Sequence, residues 1–282
     1  MQHSKLPLIW MLVILAATAL RAEEQIVPLA PDARLELVVP NTAVEVKGTD
    51  GSTLRLEGVR SRFVEVEDRG GVVTVQVSPD TGQHQPAALS LELPWGHDLH
   101  VIAERRQVAV EDVRGTVTVQ QGSAPVTLDR IVGDVDVFNR SHRIWMGNID
   151  GEVRAESQSH EVRVTNVTGS VWGRSVTGPV TVENAAGKRV DLASVNGTVS
   201  YRGTVRADGW LSLNSNAGEV LIELPLESNV TIALGGDVNS FDVEGATLKE
   251  TGIASAQVQL GDGRGRIELY SFRGAVRVRA VD

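Results

Sequence analysis

The feature that most constrains this chain is an apolar residue that returns every nine residues, without a gap, from residue 108 to residue 180. A second small or apolar residue follows two positions later each time, and side chains two apart lie on the same face of a β-strand. Each nine-residue unit therefore predicts one short strand with two inward side chains and then a turn. The first positions are Val108, Val117, Val126, Val135, Ile144, Val153, Val162, Val171 and Val180.

Alternate units carry different turn residues, so the true period is eighteen. One turn ends in a glycine and contains an apolar residue and, in three coils, an asparagine, whereas the other contains Ser or Thr. The glycines are Gly115, Gly133, Gly151, Gly169 and Gly187, the apolar residues are Ile131, Ile149 and Val167, the asparagines are Asn148, Asn166 and Asn184, and the hydroxyl residues are Ser123, Ser141, Ser159 and Thr177.

This period predicts an all-β fold, a parallel β-solenoid of 18-residue coils. Each coil gives one strand to each of two sheets, and identical residues stack on strands about 4.8 Å apart. A six-residue period, which a three-sided solenoid would need, is missing. The general rule for parallel crossovers favours right-handed coiling.

Two Ser-His pairs, at His142 and His160, are explained by the same repeat. They are eighteen residues apart and follow the Ser/Thr positions. A metal shared by the two imidazoles would lack a third ligand, and a Ser-His nucleophile would need an orienting acid and an oxyanion hole. We therefore predict corner residues, with no catalytic residue, no metal and no cofactor.

The repeat divides the chain into four predicted regions. Residues 1–22 form a signal peptide, 23–105 an N-terminal β region or cap, 106–187 the regular solenoid, and 188–282 an irregular continuation with a C-terminal cap. One added residue near Lys188 shifts the repeat. The segments LSLELPWGHDLHVIA (89–103) and VLIELPLESNVTIAL (220–234) align at a constant offset of 131, which indicates a turn that is used twice.

The N-terminus has the composition of an export signal. One lysine precedes an apolar run from Leu6 to Leu20, and small residues allow cleavage after Ala19 or Ala22, the alternative being a retained anchor. Cleavage after Ala22 removes Lys5 and Arg21 and changes the net charge from −9 to −11. We expect an exported protein in the periplasm or at the cell surface, without an integral membrane span after cleavage. Its acidity argues against nucleic acid as a partner, and the lack of cysteine excludes disulfides.

The repeat also predicts which side chains face outward. One sheet places Thr118, Asp136, Arg154 and Trp172 side by side, and the other Thr127, Trp145, Arg163 and Thr181. Arginines near each tryptophan lie within cation–π range if their rotamers allow. The candidate ligand-binding residues are therefore Trp145, Trp172, Arg143, Arg154, Arg163 and Arg174. The alternative is a ladder that only stabilises the sheet, or a flanking segment that covers the rings.

The chain resembles the bacterial putative-adhesin domains of unknown function, a family of β-strand repeats. The resemblance covers residues 35–282 and is carried by Gly-x-Val-x-Val strands at nine-residue steps, the x-Leu-Pro turn, and the closing GRIEL (265–269) and RGAVRV (273–278). It implies a β-solenoid, an envelope location and no established enzymatic activity, and it transfers no site residues.

Three functions follow as expectations. The first is a non-enzymatic, exported surface of the cell envelope, structural or adhesive. The second is a polysaccharide-binding or polysaccharide-processing protein that uses the Trp/Arg columns. The third is a scaffold or sensor for an envelope protein. Glycans or envelope proteins are thus the expected partners, and the oligomeric state is not predicted.

Overall fold

The computed structural model describes residues 24–59, 61–78, 88–236, 241–243, 248–252 and 255–281. The predicted signal peptide lies outside these residues. Their one helical element is a 3-10 turn at Ser61–Phe63. The strands are β1 Gln25–Pro28, β2 Arg34–Val39, β3 Val44–Thr49, β4 Thr53–Glu57, β5 Val64–Asp68, β6 Val72–Val77, β7 Leu89–Pro94, β8 Leu99–Ala103, β9 Val108–Glu111, β10 Val117–Gln121, β11 Val126–Val132, β12 Val135–Asn139, β13 Ile144–Asp150, β14 Val153–Ser157, β15 Val162–Val167, β16 Val171–Ser175, β17 Val180–Ala185, β18 Arg189–Ser194, β19 Val199–Arg202, β20 Trp210–Ser215, β21 Val220–Pro225, β22 Val230–Gly236, β23 Phe241–Val243, β24 Leu248–Gly252, β25 Ser255–Leu260, β26 Gly265–Ser271 and β27 Val276–Val281.

These strands form two mostly parallel sheets, as the period predicts. Sheet A has the order β1-β4-β7-β3-β9-β11-β13-β15-β17-β19-β21-β27-β23, and sheet B the order β24-β25-β22-β26-β20-β18-β16-β14-β12-β10-β8-β2-β6-β5. Strands β8 to β21 alternate between the sheets, so one strand of each makes a coil. Val117 pairs with Val135 and Val135 with Val153, which confirms the 18-residue coil. The offset then becomes 19, with Val171 opposite Val190.

The interior is built from the alternating aliphatic positions. Val153, Val162 and Val171 are nearly or completely buried, together with their stacked equivalents in neighbouring coils. Small residues make room where a neighbour is large: a Cβ added at Gly173 would lie 3.1 Å from the Leu192 side chain on the next strand. The core therefore keeps its volume from coil to coil even where the sequence pattern weakens.

The corner near the end of the sheet A strands β9, β11, β13, β15 and β17 contains a left-handed residue and is held by a polar ladder. Asp112, Arg130, Asn148, Asn166 and Asn184 have φ between 55° and 58°. Asn is tolerated in this region because its short polar side chain bonds locally. The Asn184 amide donates to Asn166 Oδ1 (3.2 Å) and the Asn166 amide donates to Asn148 Oδ1 (3.0 Å). The predicted stacking of asparagines is therefore confirmed.

The opposite corner contains a second polar column that the repeat analysis did not single out. The hydroxyl oxygen of Ser175 accepts from the Gly178 N–H (2.9 Å) and donates to the His160 carbonyl (3.1 Å) one coil away. Ser194 makes the same two bonds. The predicted Ser/Thr column lies beside it and also bonds across coils: Ser141 donates to the Gly122 carbonyl. Buried backbone groups at this corner are thereby satisfied.

At each of the two Glu-Leu-Pro turns the chain steps over one coil: it skips the position of that coil, which strands from another part of the sequence fill. From β7 the chain enters β8, and the strands β2 and β3 fill the coil between them. From β21 it enters β22, and β26 and β27 fill that coil. The turns match residue for residue: Trp95 N–H donates to the Thr49 carbonyl, and Leu226 N–H to the Val281 carbonyl.

The last strand pair, β26 and β27, is consequently internal. It lies between two neighbours in each sheet, as do β2 and β3 near the other end. The edge strands are β1 and β5 at one end and β23 and β24 at the other. Exposed sheet edges favour association, and several of these outer strands are short or antiparallel.

Candidate ligand-binding face of sheet B

The register places the predicted outward residues side by side. Thr118 pairs with Asp136, Asp136 with Arg154, and Arg154 with Trp172 across sheet B. On sheet A, Trp145 pairs with Thr127 on one side and Arg163 on the other. Both predicted columns therefore exist, on opposite faces of the solenoid.

Trp172 is the tryptophan of the predicted sheet B column, and two arginines lie over its ring. The Arg154 guanidinium carbon lies 4.2 Å from the ring centroid, and that of Arg174 lies 4.7 Å from it. Both distances are within the range of cation–π attraction. Among the described residues Arg154 forms no ion pair, whereas Arg174 lies 3.7 Å from a carboxylate oxygen of Asp191.

Trp145 differs from the expectation that each tryptophan has a stacked arginine. Its side chain is 41% exposed, but within the described part of the chain no arginine lies over its ring. Arg163, on the neighbouring strand, instead donates to Glu183 at 2.8 Å. Arg143 does not lie over the ring either, and its backbone N–H donates to His142 Nδ1 at 2.9 Å. Arg163 therefore pairs with the Glu183 carboxylate and does not stack on the Trp145 ring.

An open groove of about 560 Å³ runs beside Trp172. Across the groove the register places Asp136, Arg154, Trp172 and Asp191 side by side, so acidic residues lie on both sides of the Arg154–Trp172 pair. Asp134 accepts from the Glu152 N–H at 2.9 Å, so this carboxylate is partly used by the backbone. The charged and aromatic residues that line the groove are Asp134, Asp136, Glu152, Arg154, Trp172, Arg189 and Asp191.

Two further Trp–Arg pairs were missed by the sequence analysis. Arg189 lies 4.6 Å from the Trp210 centroid on sheet B, and Arg114 lies 3.8 Å from the Trp95 centroid in the first step-over turn. Trp210 follows a longer connection, residues 203–209, between β19 and β20, so the repeat does not give its register. Trp95 stands in a turn outside the repeat. A search for Trp beside Arg in the strands alone could not have found the second pair.

The two histidines form a stacked pair at the other corner. The ring centroids of His142 and His160 are 5.3 Å apart and their planes differ by 5°. Burial, followed by the nearby His160 and Arg143, lowers the pKa of His142. The described residues contain no group of three or more His, Cys, Asp or Glu side chains placed to hold a metal ion. The two rings occupy the same corner position in adjacent coils, as the 18-residue repeat predicts.

No protein-family model and no curated protein matches the chain. Similar solved structures include one described as a putative adhesin from Bacteroides fragilis (8% identity, 93% of this chain and 98% of that one, TM-score 0.49). Others are a putative lipid binding protein from Parabacteroides distasonis (12%, 94% and 98%, 0.42) and a putative adhesin from Parabacteroides merdae (8%, 92% and 97%, 0.42). The fold assignment rests on the strand pairing described above. None of the helices in the described residues is long and apolar enough to cross a membrane.

Proposed function

We propose that this protein is an exported, non-enzymatic β-solenoid that presents sheet B as an adhesive, polysaccharide-binding surface of the bacterial cell envelope. The observation that carries the proposal is the cluster of Trp172, Arg154 and Arg174 on an open face. Aromatic and arginine side chains on an accessible surface are typical of binding sites. Export is supported by the signal-like sequence of residues 1–22.

A parallel sheet face suits an extended ligand. Its side chains repeat at intervals of about 4.8 Å along the solenoid axis, so a polymer that lies along that axis meets a regular series of contacts. Many individually weak contacts can then act together, as an adhesive surface requires.

Intrinsic tryptophan fluorescence, titrated with a panel of envelope and host polysaccharides, tests the proposal. We expect a saturable change that is lost in Trp172→Ala and kept in Trp145→Ala, the matched change on the other sheet. No change with any polysaccharide would contradict polysaccharide binding and direct attention to a protein partner. Release of reducing ends from a bound polysaccharide would contradict the non-enzymatic part.

A further inference from the structure

The basic and aromatic residues of sheet B extend beyond the predicted site, in two adjoining columns that together form a strip on the successive neighbours β14, β16, β18, β20 and β26. In the first column Arg154 lies opposite Trp172, and Asp191 follows Trp172 on β18. The second column is Arg189, Trp210 and Arg266, two residues nearer the start of β18. Four strand spacings give the strip a length of roughly 19 Å along the solenoid axis. The register pairs Arg189 with Trp210 and Trp210 with Arg266.

The rings of this strip are covered by guanidinium groups. Arg154 and Arg174 lie over Trp172, and Arg189 lies over Trp210. A neutral sugar that stacks on indole would have to displace these arginines. A stacked guanidinium, however, keeps its N–H donors in the plane of the group, where they can bind carboxylate or sulfate oxygens in pairs. The stacking therefore holds the arginines in place for an anion.

The charges along the strip favour the same ligand. The carboxylate nearest to Arg174 and Arg189 is that of Asp191, at 3.7 Å and 3.6 Å, and these contacts are longer than hydrogen bonds. The Arg189 side chain is 66% exposed, which leaves its donors accessible, whereas Arg266 at the end of the strip pairs with Glu268 at 2.7 Å. The neighbouring strand β12 and the turn before it present the exposed acidic residues Asp136 and Asp134, and Glu152 precedes Arg154 in its own coil. The arginines from β14 to β18 are thus the part of the face that favours a polyanion.

We propose that this strip binds an anionic polysaccharide, whose chain lies along the solenoid axis and whose carboxylate or sulfate groups contact Arg154, Arg174 and Arg189. The inference rests on the proposed function and assigns its ligand class. Trp172 and Trp210 act by positioning the arginines. The opposite sheet lacks this arrangement, because Arg163 and Arg277 pair with glutamates at 2.8 Å and 3.0 Å and, within the described residues, no arginine lies over Trp145.

The test compares two triple variants of the purified protein with the same change in net charge. The sheet B variant is Arg154→Gln, Arg174→Gln and Arg189→Gln, and the matched sheet A control is Arg163→Gln, Arg202→Gln and Arg277→Gln. The dissociation constant is measured for polygalacturonate, chondroitin sulfate, neutral dextran and single-stranded DNA. Thermal unfolding and circular dichroism establish that both variants fold.

We expect the sheet B variant to bind polygalacturonate and chondroitin sulfate about tenfold more weakly, and the control variant to bind them as the natural protein does. The ratio of the dissociation constants for these two polymers shows whether carboxylate or sulfate is the preferred group. Equal weakening in both variants would overturn the proposal, since only net charge would then matter. DNA binding as tight as that of the polysaccharides would also overturn it. Dextran binding that is unaffected by the sheet B variant would overturn the anionic class and leave polysaccharide binding intact, whereas no binding to any polysaccharide would overturn both.

Discussion

The imidazole of His142 lies parallel to that of His160, with 5.3 Å between their ring centroids. The Nδ1 atom of His142 accepts a hydrogen bond from the Arg143 N–H at 2.9 Å, which requires that nitrogen to be unprotonated. A proton on His142 would break this bond and add a charge beside His160 and Arg143. The hydrogen bonding at this corner therefore favours the neutral form of His142.

This arrangement predicts a loss of stability in acid. The pKa of His142 is lowered below its ordinary value of 6.5, chiefly by burial and then by the two neighbouring charges, so the unfolded chain binds this proton more readily. The stabilisation is complete above about pH 6.5 and is lost as pH falls from there toward the lowered pKa. Urea unfolding at about pH 7.5 and about pH 5.5 measures it.

We expect the natural protein to lose more of its unfolding free energy between these two pH values than His142→Gln does. The comparison removes the contribution of the other acid-titrating groups, which both proteins share. Equal losses in the two proteins would show that the stacked ring does not respond to pH.

The corner glycines predict a sharp difference between two alanine substitutions. A methyl group at Gly151 would overlap the carbonyl oxygen of Gly133 in the neighbouring coil. A methyl group at Gly147 would instead lie 3.1 Å from the Thr165 hydroxyl and 3.3 Å from Asp129 Oδ1, both on side chains that can move. We expect Gly151→Ala to cost about 2–3 kcal/mol of unfolding free energy and Gly147→Ala about 1 or less, by chemical denaturation. Similar values for both would contradict the close approach of coils at this corner.

The asparagine ladder predicts separate effects for backbone and side chain. Asn166 has φ 55°, and its side chain bonds to Asn148 and Asn184. Asn166→Gly keeps the left-handed turn and loses the ladder, at about 1 kcal/mol, whereas Asn166→Ala also forces a methyl-bearing residue into that conformation, at about 1–2 kcal/mol more. Thermal unfolding of the two variants shows which of them is less stable. A less stable glycine variant would show that the backbone conformation is not what selects asparagine.

The step-over topology predicts that the last strand pair is needed for the whole fold. Deleting residues 265–282 would remove β26 and β27 from between β20 and β22 in one sheet and β21 and β23 in the other. We expect loss of cooperative unfolding in calorimetry, because two sheets lose an internal strand each. Deleting β1, an edge strand paired only with β4, is the control and should lower the unfolding temperature by a few degrees at most. A cooperative transition in the C-terminal deletion would contradict the insertion.

The regular part of the fold could be predicted because its signal is local. Val135, Val153 and Val171 each repeat the inward position of the coil before, and stacking follows from spacing alone. The position of β26 and β27 could not be predicted in this way, because it depends on the turn after β21, which ends at Pro225, whereas β26 begins at Gly265 and β27 at Val276. The repeated motif of that turn shows that it is used twice but not which strands fill the skipped coil. Right-handed coiling and the boundaries of the four regions stay predictions.

The candidate site was predicted in part for a similar reason. Trp172 and Arg154 occupy equivalent positions in adjacent coils, so their contact follows from the period. Trp145 and Arg163 are related in the same way, yet Glu183 takes the guanidinium, and rotamer choice between competing partners is not encoded in spacing. Trp210 lies beyond an insertion, where counting residues no longer gives the partner.

The central claim is that a polysaccharide binds the sheet B strip, and the indole N–H signals in a ¹⁵N-labelled sample test it most directly. Trp95, Trp145, Trp172 and Trp210 lie in four different environments, two of them in the strip. On addition of polygalacturonate we expect shifts of the Trp172 and Trp210 signals, assigned by Trp→Phe substitution, while the Trp145 signal stays in place. A shift of Trp145 alone, or no shift of Trp172 and Trp210 at saturating polymer, would contradict binding at the sheet B strip.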